Sequence, residues 1–342
     1  MVKEIYLLPE NISNFNFENT VYPIRHLTYN FNLYFHKAKS IYNDGIQFYE
    51  LLNEEKEITI INRKLKNIYK ENNFSNILPK GSPLIMGILN VTPDSFYDGA
   101  KYFNKEKAVA HAYELLKDGA DIIDVGGEST RPGAKPVSAE EESDRILPII
   151  EELVKNNILV SCDTRNSLTM KKALDCGVKI INDVSGLNFD DKSIEVINKY
   201  DCLYVLTHSK GLPTNMQNSP YYSNAPADIY KFLAHKIKLL RSSGFSKNNI
   251  IIDPGIGFGK LDKHNFLILK YLSIFLDLGL PILVGLSRKS FIRRFVRNDE
   301  AAMLPGSVAV AINAYMKGAN ILRVHDVRET KLAIEIFKKT NF

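Results

Sequence analysis

From about residue 84 onward, short apolar runs alternate with amphipathic stretches eight times, and each run breaks at a polar residue. The runs are 84–92, 120–127, 159–164, 179–185, 202–208, 250–255, 281–287 and 320–326. A continuous apolar run of that length reads as a strand buried on both faces, which is the signature of a parallel sheet. Between the runs, 105–118, 139–155, 225–243 and 263–277 carry helical spacing, and 328–339 follows the last one. Eight strand–helix units in about 250 residues have the size and order of a (β/α)8 TIM barrel, an α/β fold. A doubly wound sheet fits less well, because no Gly-rich nucleotide turn follows the first strand.

Residues 1–80 break this rhythm and are expected to form a small N-terminal extension to the barrel of residues 81–342. They are rich in Tyr, Asn and Lys, and only 38–52 offers a plausible helix. Residues 72–81 have the turn-former density of a linker. The extension is expected to be a subdomain or a cover over the closed end of the barrel.

With 45% hydrophobic and 24% charged residues, the chain can bury a full core. No apolar run is long enough to span a bilayer, and the N-terminus lacks a basic-then-apolar leader, so a cytoplasmic enzyme with no membrane partner is expected. The net charge of +5 is scattered, without the dense basic tract that nucleic-acid binding requires. Cys162, Cys176 and Cys202 lack metal-ligand spacing and read as structural thiols.

Catalytic groups of such barrels come from the carboxyl ends of the strands. Here those ends carry Asn90, Asp124, Asp163, Asn182, His208, Asp253, then Ser287-Arg288-Lys289-Ser290, and Arg323-Val324-His325-Asp326. One Asp after one strand is commonly a turn former or helix cap. Polar residues framed by Val, Ile, Leu or Cys, such as Asp124, Asp163, Asn182, Arg323 and His325, must instead find partners in the interior. Asp163, Asn182, Asp253 and Lys289 supply acceptors, an amide and a cation suited to the edge of a flat, nitrogen-rich heterocycle. Arg323 and His325 suit an anion, and Asn90 with Asp98 offers hard oxygens for Mg²⁺. No nucleophile elbow or HExxH motif is present.

At these residues the sequence resembles the dihydropteroate synthase family. Two stretches carry the resemblance, Ile88-Leu89-Asn90-Val91-Thr92-Pro93-Asp94-Ser95-Phe96 and Asp124-Val125-Gly126-Gly127-Glu128-Ser129-Thr130-Arg131-Pro132-Gly133. Blocks at 181–186, 253–260, 287–290 and 323–327 match in order. The resemblance implies condensation of 6-hydroxymethyl-7,8-dihydropterin diphosphate with p-aminobenzoate, with Mg²⁺ as cofactor and a homodimer as the assembly. It places the pterin on Asp163, Asn182, Asp253 and Lys289, and the diphosphate on Asn90, Arg323 and His325. Asn90 and Asp98 would serve the metal. Thr130, Arg131, Pro132, Phe258 and Ser290 would line the p-aminobenzoate pocket, where sulfonamides compete, and Asp98, Arg131, Lys289, Arg323 and His325 would act in catalysis. Tyr97, Ala100 and the Thr207-His208-Ser209-Lys210-Gly211 segment depart from the usual pattern. Two alternatives stay open: a methyltetrahydrofolate:corrinoid methyltransferase, which has no use for the Ser-Thr-Arg-Pro-Gly loop, and a silent pterin-binding paralogue.

Overall fold

The computed structural model describes residues 4–13, 22–24, 33–43, 48–50, 64, 76–79, 83–92, 105–128, 136–211 and 220–341. The N-terminal part contributes β1 (Glu4–Ser13), β2 (Tyr22–Ile24), β3 (Leu33–Asn43) and β4 (Phe48–Glu50). β1 pairs antiparallel with β3 from Glu4↔Asn43 to Ser13↔Tyr34, and β2 and β4 pair with the two ends of β3. The helix expected over 38–52 is therefore replaced by strand. Leu33–Asn43 is rich in aromatic and β-branched residues and finds a full-length partner in β1, so long-range pairing overrides a weak local helical pattern.

The barrel follows as β5 (Leu84–Asn90), β6 (Ile122–Gly126), β7 (Val160–Asp163), β8 (Ile180–Asp183), β9 (Leu203–Thr207), β10 (Ile250–Asp253), β11 (Leu283–Gly285) and β12 (Ile321–Val324). All eight run parallel in chain order from β5 to β10, and β12 lies between β5 and β11. A parallel bridge, Ile252↔Ile282, joins β10 to β11 and closes the ring. The helices are α1 (Lys105–Lys117), α2 (Ala139–Lys155), α3 (Ser167–Asp175), α4 (Ser193–Ile197), α5 (Ala225–Ser242), α6 (Asp262–Lys270), α7 (Ser290–Phe295), α8 (Glu300–Met316) and α9 (Val327–Asn341). The helix expected over 263–277 stops at Lys270 and continues as a 3-10 segment, Leu272–Leu278, which ends at Gly279 in the left-handed region.

Strand alternation divides the core in two. Ile85, Val125, Cys162, Ile181, Tyr204, Ile252 and Leu322 pack outward against the helices. Leu84, Met86, Ile122, Ile180, Leu203, Val205, Ile251, Leu283 and Ile321 form a separate apolar plug inside the ring. The plug fills the amino-terminal end, so the next inward positions along each strand face the opposite mouth. The three cysteines are free, and Cys162 and Cys202 are buried. Among the described residues no helix is long and apolar enough to cross a membrane.

Candidate active site

Stepping two residues along each strand from the apolar plug changes its chemistry. Met86 leads through Ile88 to Asn90, Ile122 to Asp124, Ile180 to Asn182, Ile251 to Asp253, and Ile321 to Arg323 and His325, while on β7 the buried Ser161 leads to Asp163. Parity thus delivers these side chains to one mouth, while their neighbours point outward and serve structure. Asp183 accepts from the backbone N–H groups of Ser185 and Leu187 and from the Tyr204 hydroxyl, which fixes the turn after β8.

Arg323 bridges the floor of the site. Its Nε lies 2.5 Å from Asp124 Oδ2 and its Nη2 lies 2.6 Å from Asp163 Oδ2. Asn182 Nδ2 donates to the same Asp124 oxygen at 3.1 Å. Gly126 gives this bridge room: a Cβ there would stand 3.3 Å from Asp163 Cβ. Burial dominates the Asp163 carboxyl and pushes it up to about 7, against the pull of Arg323. Asp253 is likewise pushed up by burial to about 6, although the Gly255 N–H donates to its Oδ1 at 2.7 Å and opposes the shift. Lys289 is brought down to about 8, by burial first and then by Arg323. Its Nζ stands 4.2 Å from the centroid of the Phe258 ring, a cation–π contact.

At the rim, His325 is half-buried, and its backbone N–H and Nδ1 both lie 3.3 Å from Ser287 Oγ. Burial and the positive charge of Arg323 bring its ring down to about 4, so it is neutral in the physiological range. Asn90 is half-buried at the end of β5. Ser290 is exposed at the start of α7 and accepts from Arg294 at 3.4 Å. Asp98, Thr130, Arg131 and Pro132 lie outside the described residues.

Beside the end of β6 lies a buried polar network. Arg165 donates from Nε and Nη2 to Glu128 at 2.9 and 2.7 Å, a bidentate pair, and Phe189 covers the guanidinium at 3.9 Å. Glu142 accepts from Thr164 and Asn166 at 2.7 and 2.9 Å, and its carboxyl is raised chiefly by burial.

The chain that builds this barrel and this site is similar to a known group of proteins. Residues 86–325 match the family model described as pterin binding enzyme. The dihydropteroate synthase of Neisseria meningitidis serogroup C is 43% identical over 261 residues, covering 75% of this chain and 92% of that one. The chain belongs to the dihydropteroate synthase family. Among solved structures, the Yersinia pestis dihydropteroate synthase with a sulfonamide drug complex superposes with a TM-score of 0.71 at 43% identity, covering 76% of this chain and 94% of that one. The Xanthomonas albilineans dihydropteroate synthase in complex with 7,8-dihydropteroate gives 0.69 at 36% identity, covering 77% and 95%.

For a dihydropteroate synthase family member, the partners or burial of three groups in this site escape a reading of the sequence. Asp124 is legible as a polar strand residue, but its role as the partner of both Arg323 and Asn182 appears only in three dimensions. Ser287 sits within hydrogen-bonding distance of both His325 and Asp326. Lys260 is only 1% exposed, and Lys is rarely buried so completely. Its one sequence signal is its place at the end of a glycine-rich segment that follows a strand. The unusual Ser209 leaves His208 in place, buried at the end of β9.

Proposed function

We propose that this enzyme makes 7,8-dihydropteroate from 6-hydroxymethyl-7,8-dihydropterin diphosphate and p-aminobenzoate. The observation that carries this reading is the inward ring of Asp163, Asn182, Asp253 and Lys289 around an Arg323 already held by two carboxylates. An aminopyrimidinone presents adjacent N–H donors and a carbonyl, which such acceptors, an amide and an ammonium can meet together. The complex of the Xanthomonas albilineans protein with 7,8-dihydropteroate, the product named here, supports the same reaction.

Arg323 spends Nε and Nη2 on Asp124 and Asp163, so Nη1 is the nitrogen left to donate to a substrate anion. With the pterin seated, its methylene C–O bond breaks and the electron pair leaves with the diphosphate. The cation left on the methylene is delocalised into the electron-rich pterin. The neutral amine nitrogen of p-aminobenzoate attacks that carbon, and its proton passes to water or to diphosphate. Because the electrophile forms first, no strong general base is needed, and preorganised charge carries the step. A neutral His325 can donate from Nε2 to the diphosphate only when the single Ser287 hydroxyl hydrogen turns from Asp326 Oδ2 to Nδ1.

Mg²⁺ suits this donor set. Among the described residues no cluster of three His, Cys, Asp or Glu side chains could hold a metal, and Asn90 offers one hard oxygen at the rim. Mg²⁺ commonly takes one or two protein oxygens and completes its shell with phosphate and water. Asn90, with Asp98, would hold it, and when bound it would neutralise charge on the diphosphate.

The test is turnover by the purified protein supplied with the pterin diphosphate and Mg²⁺, with and without p-aminobenzoate. Diphosphate release coupled to dihydropteroate formation is the expected result. Pterin binding without either product would overturn the reading in favour of a silent paralogue.

A further inference from the structure

We infer that Lys260 is a positioning residue: its ammonium locks His208 in the Nε2–H tautomer and ties the Phe258 loop to the end of β9. The functional part of this inference rests on the reading of the site given above.

Gly255, Gly257 and Gly259 all adopt positive φ, at 68°, 87° and 63°, so the loop after β10 takes a course closed to ordinary side chains. A Cβ on Gly255 would fall 1.9 Å from the His208 carbonyl oxygen, and one on Gly259 would fall 2.2 Å from that of Lys210. The loop is therefore pressed against the backbone leaving β9. Such a close approach leaves carbonyls that no sheet ladder satisfies, and buried carbonyls need a donor.

Lys260 supplies it. Its Nζ lies 3.1 Å from the His208 carbonyl, 3.0 Å from the Phe258 carbonyl and 2.9 Å from His208 Nδ1. An ammonium has three N–H donors: the two carbonyls take two, and Nδ1, if it carries no hydrogen, takes the third. Donation to Nδ1 requires a lone pair there, which places the ring proton on Nε2. The ring has little freedom to turn away, since Phe232 meets it edge-on at 4.8 Å and Tyr222 stands at 5.9 Å. Tyr222 also donates to the Gly259 carbonyl at 2.9 Å, so the same wall grips the loop twice.

The charges around the pair are Asp253, which favours the ammonium, and Lys289 and Lys210, which oppose positive charge here. Burial brings both Lys260 and His208 well below their ordinary ranges, which keeps His208 neutral and also works against the ammonium. The charge on Lys260 therefore rests on Asp253 and on the two carbonyls it donates to. Were Lys260 to lose its proton, Nζ would become an acceptor and Nδ1 would have to carry the hydrogen. The tautomer of His208 therefore reports the charge of Lys260. The consequence for the site runs through Phe258, whose carbonyl Lys260 holds and whose ring lies under the Lys289 amine.

The experiment is a long-range proton–nitrogen spectrum of the full-length protein labelled with ¹⁵N-histidine, with His208 assigned by its loss in His208→Gln. An Nε2-protonated, Nδ1-bare ring, unchanged between pH 6 and pH 8, is expected. A ring protonated at Nδ1 would overturn the assignment, and this reading needs no lysine variant to fold. In Lys260→Met the ring should become a mixture of tautomers, and KM for p-aminobenzoate should rise roughly tenfold while kcat changes less than about twofold, as expected for losing a buried donor outside the reacting atoms. A folded Lys260→Met that only melts earlier, with tautomer and KM unmoved, would reduce Lys260 to a structural group. Absence of turnover in the parent protein would count against the synthase reading, and the tautomer measurement would still decide this one.

Discussion

Removing the Arg323 side chain would leave two buried carboxylates facing each other, since Asp124 and Asp163 both spend an oxygen on it. Arg323→Met is expected to lower stability by about 3–5 kcal/mol, the usual cost of stranding buried charge, as read from urea unfolding. It should also abolish pterin diphosphate binding. Arg323→Lys keeps a charge but cannot bridge both acids with a planar fork, so it should recover stability only in part. Equal stability of parent and Arg323→Met would mean that the carboxylates hold a shared proton instead.

The Asp163 carboxyl makes a pH prediction at the same scale. Folding lifts it from its ordinary 3.8 to about 7, so between those values the folded state holds more protons than the unfolded one. Its contribution to stability is thus greatest below pH 3.8 and is lost as pH rises through 7. The opposite holds for ligand binding, because only the ionised carboxylate offers both oxygens as charged acceptors to pterin N–H groups. Affinity for the pterin diphosphate, by calorimetry, should therefore weaken as pH falls below about 7, and Asp163→Asn should flatten that step while weakening binding throughout. These residues were legible because a polar side chain at period two inside an apolar strand must find partners. What they pair with was not, since nothing local tells Asp124 from Asp163, or shows that the fold would bury Lys260.

Elements read well where period and length agree. The expected helix over 139–155 is α2 to the residue, with Ser138 capping its first turn by accepting from Glu141 N–H. The strands fall inside the apolar runs because their inward ends are plugged and their outward faces covered. Short elements such as α4 and α7 hold too few turns for a period to show. The break at Lys270 also leaves little local trace, because the 3-10 segment beyond it is wholly apolar apart from Ser273 and Asp277. Packing between β6 and α2 gives the prediction at this scale. A Cβ on Gly127 would stand 2.8 Å from Ile146 Cγ2 and 3.0 Å from the Glu142 carbonyl oxygen, against backbone that cannot yield cheaply. Gly127→Ala should push α2 away and cost about 1–3 kcal/mol, the range for overpacking, seen as a lowered Tm. It should also impair turnover, since Glu142 and Arg145 tie α2 to the residues beside the mouth. An unchanged Tm would show that α2 shifts without strain.

On the scale of the whole molecule, the N-terminal residues meet the barrel at a defined place. Strand β1 lies against the 3-10 segment Leu272–Leu278, and Lys64 reaches Asp277 Oδ2 at 2.7 Å and the Tyr230 hydroxyl at 2.8 Å. That segment feeds β11, the strand that the Ile252↔Ile282 bridge joins to β10 at the seam of the ring. Holding it should therefore stabilise closure of the barrel, not the chemistry at the far mouth. Lys64→Met should cost about 3 kcal/mol, the low end for breaking a buried pair, because the lysine keeps some contact with water. The urea midpoint should fall while kcat/KM at 25 °C stays unchanged. If KM moved with the midpoint, the extension would be coupled to the mouth through β11, and Lys289, four residues beyond that strand, would be the first place to look.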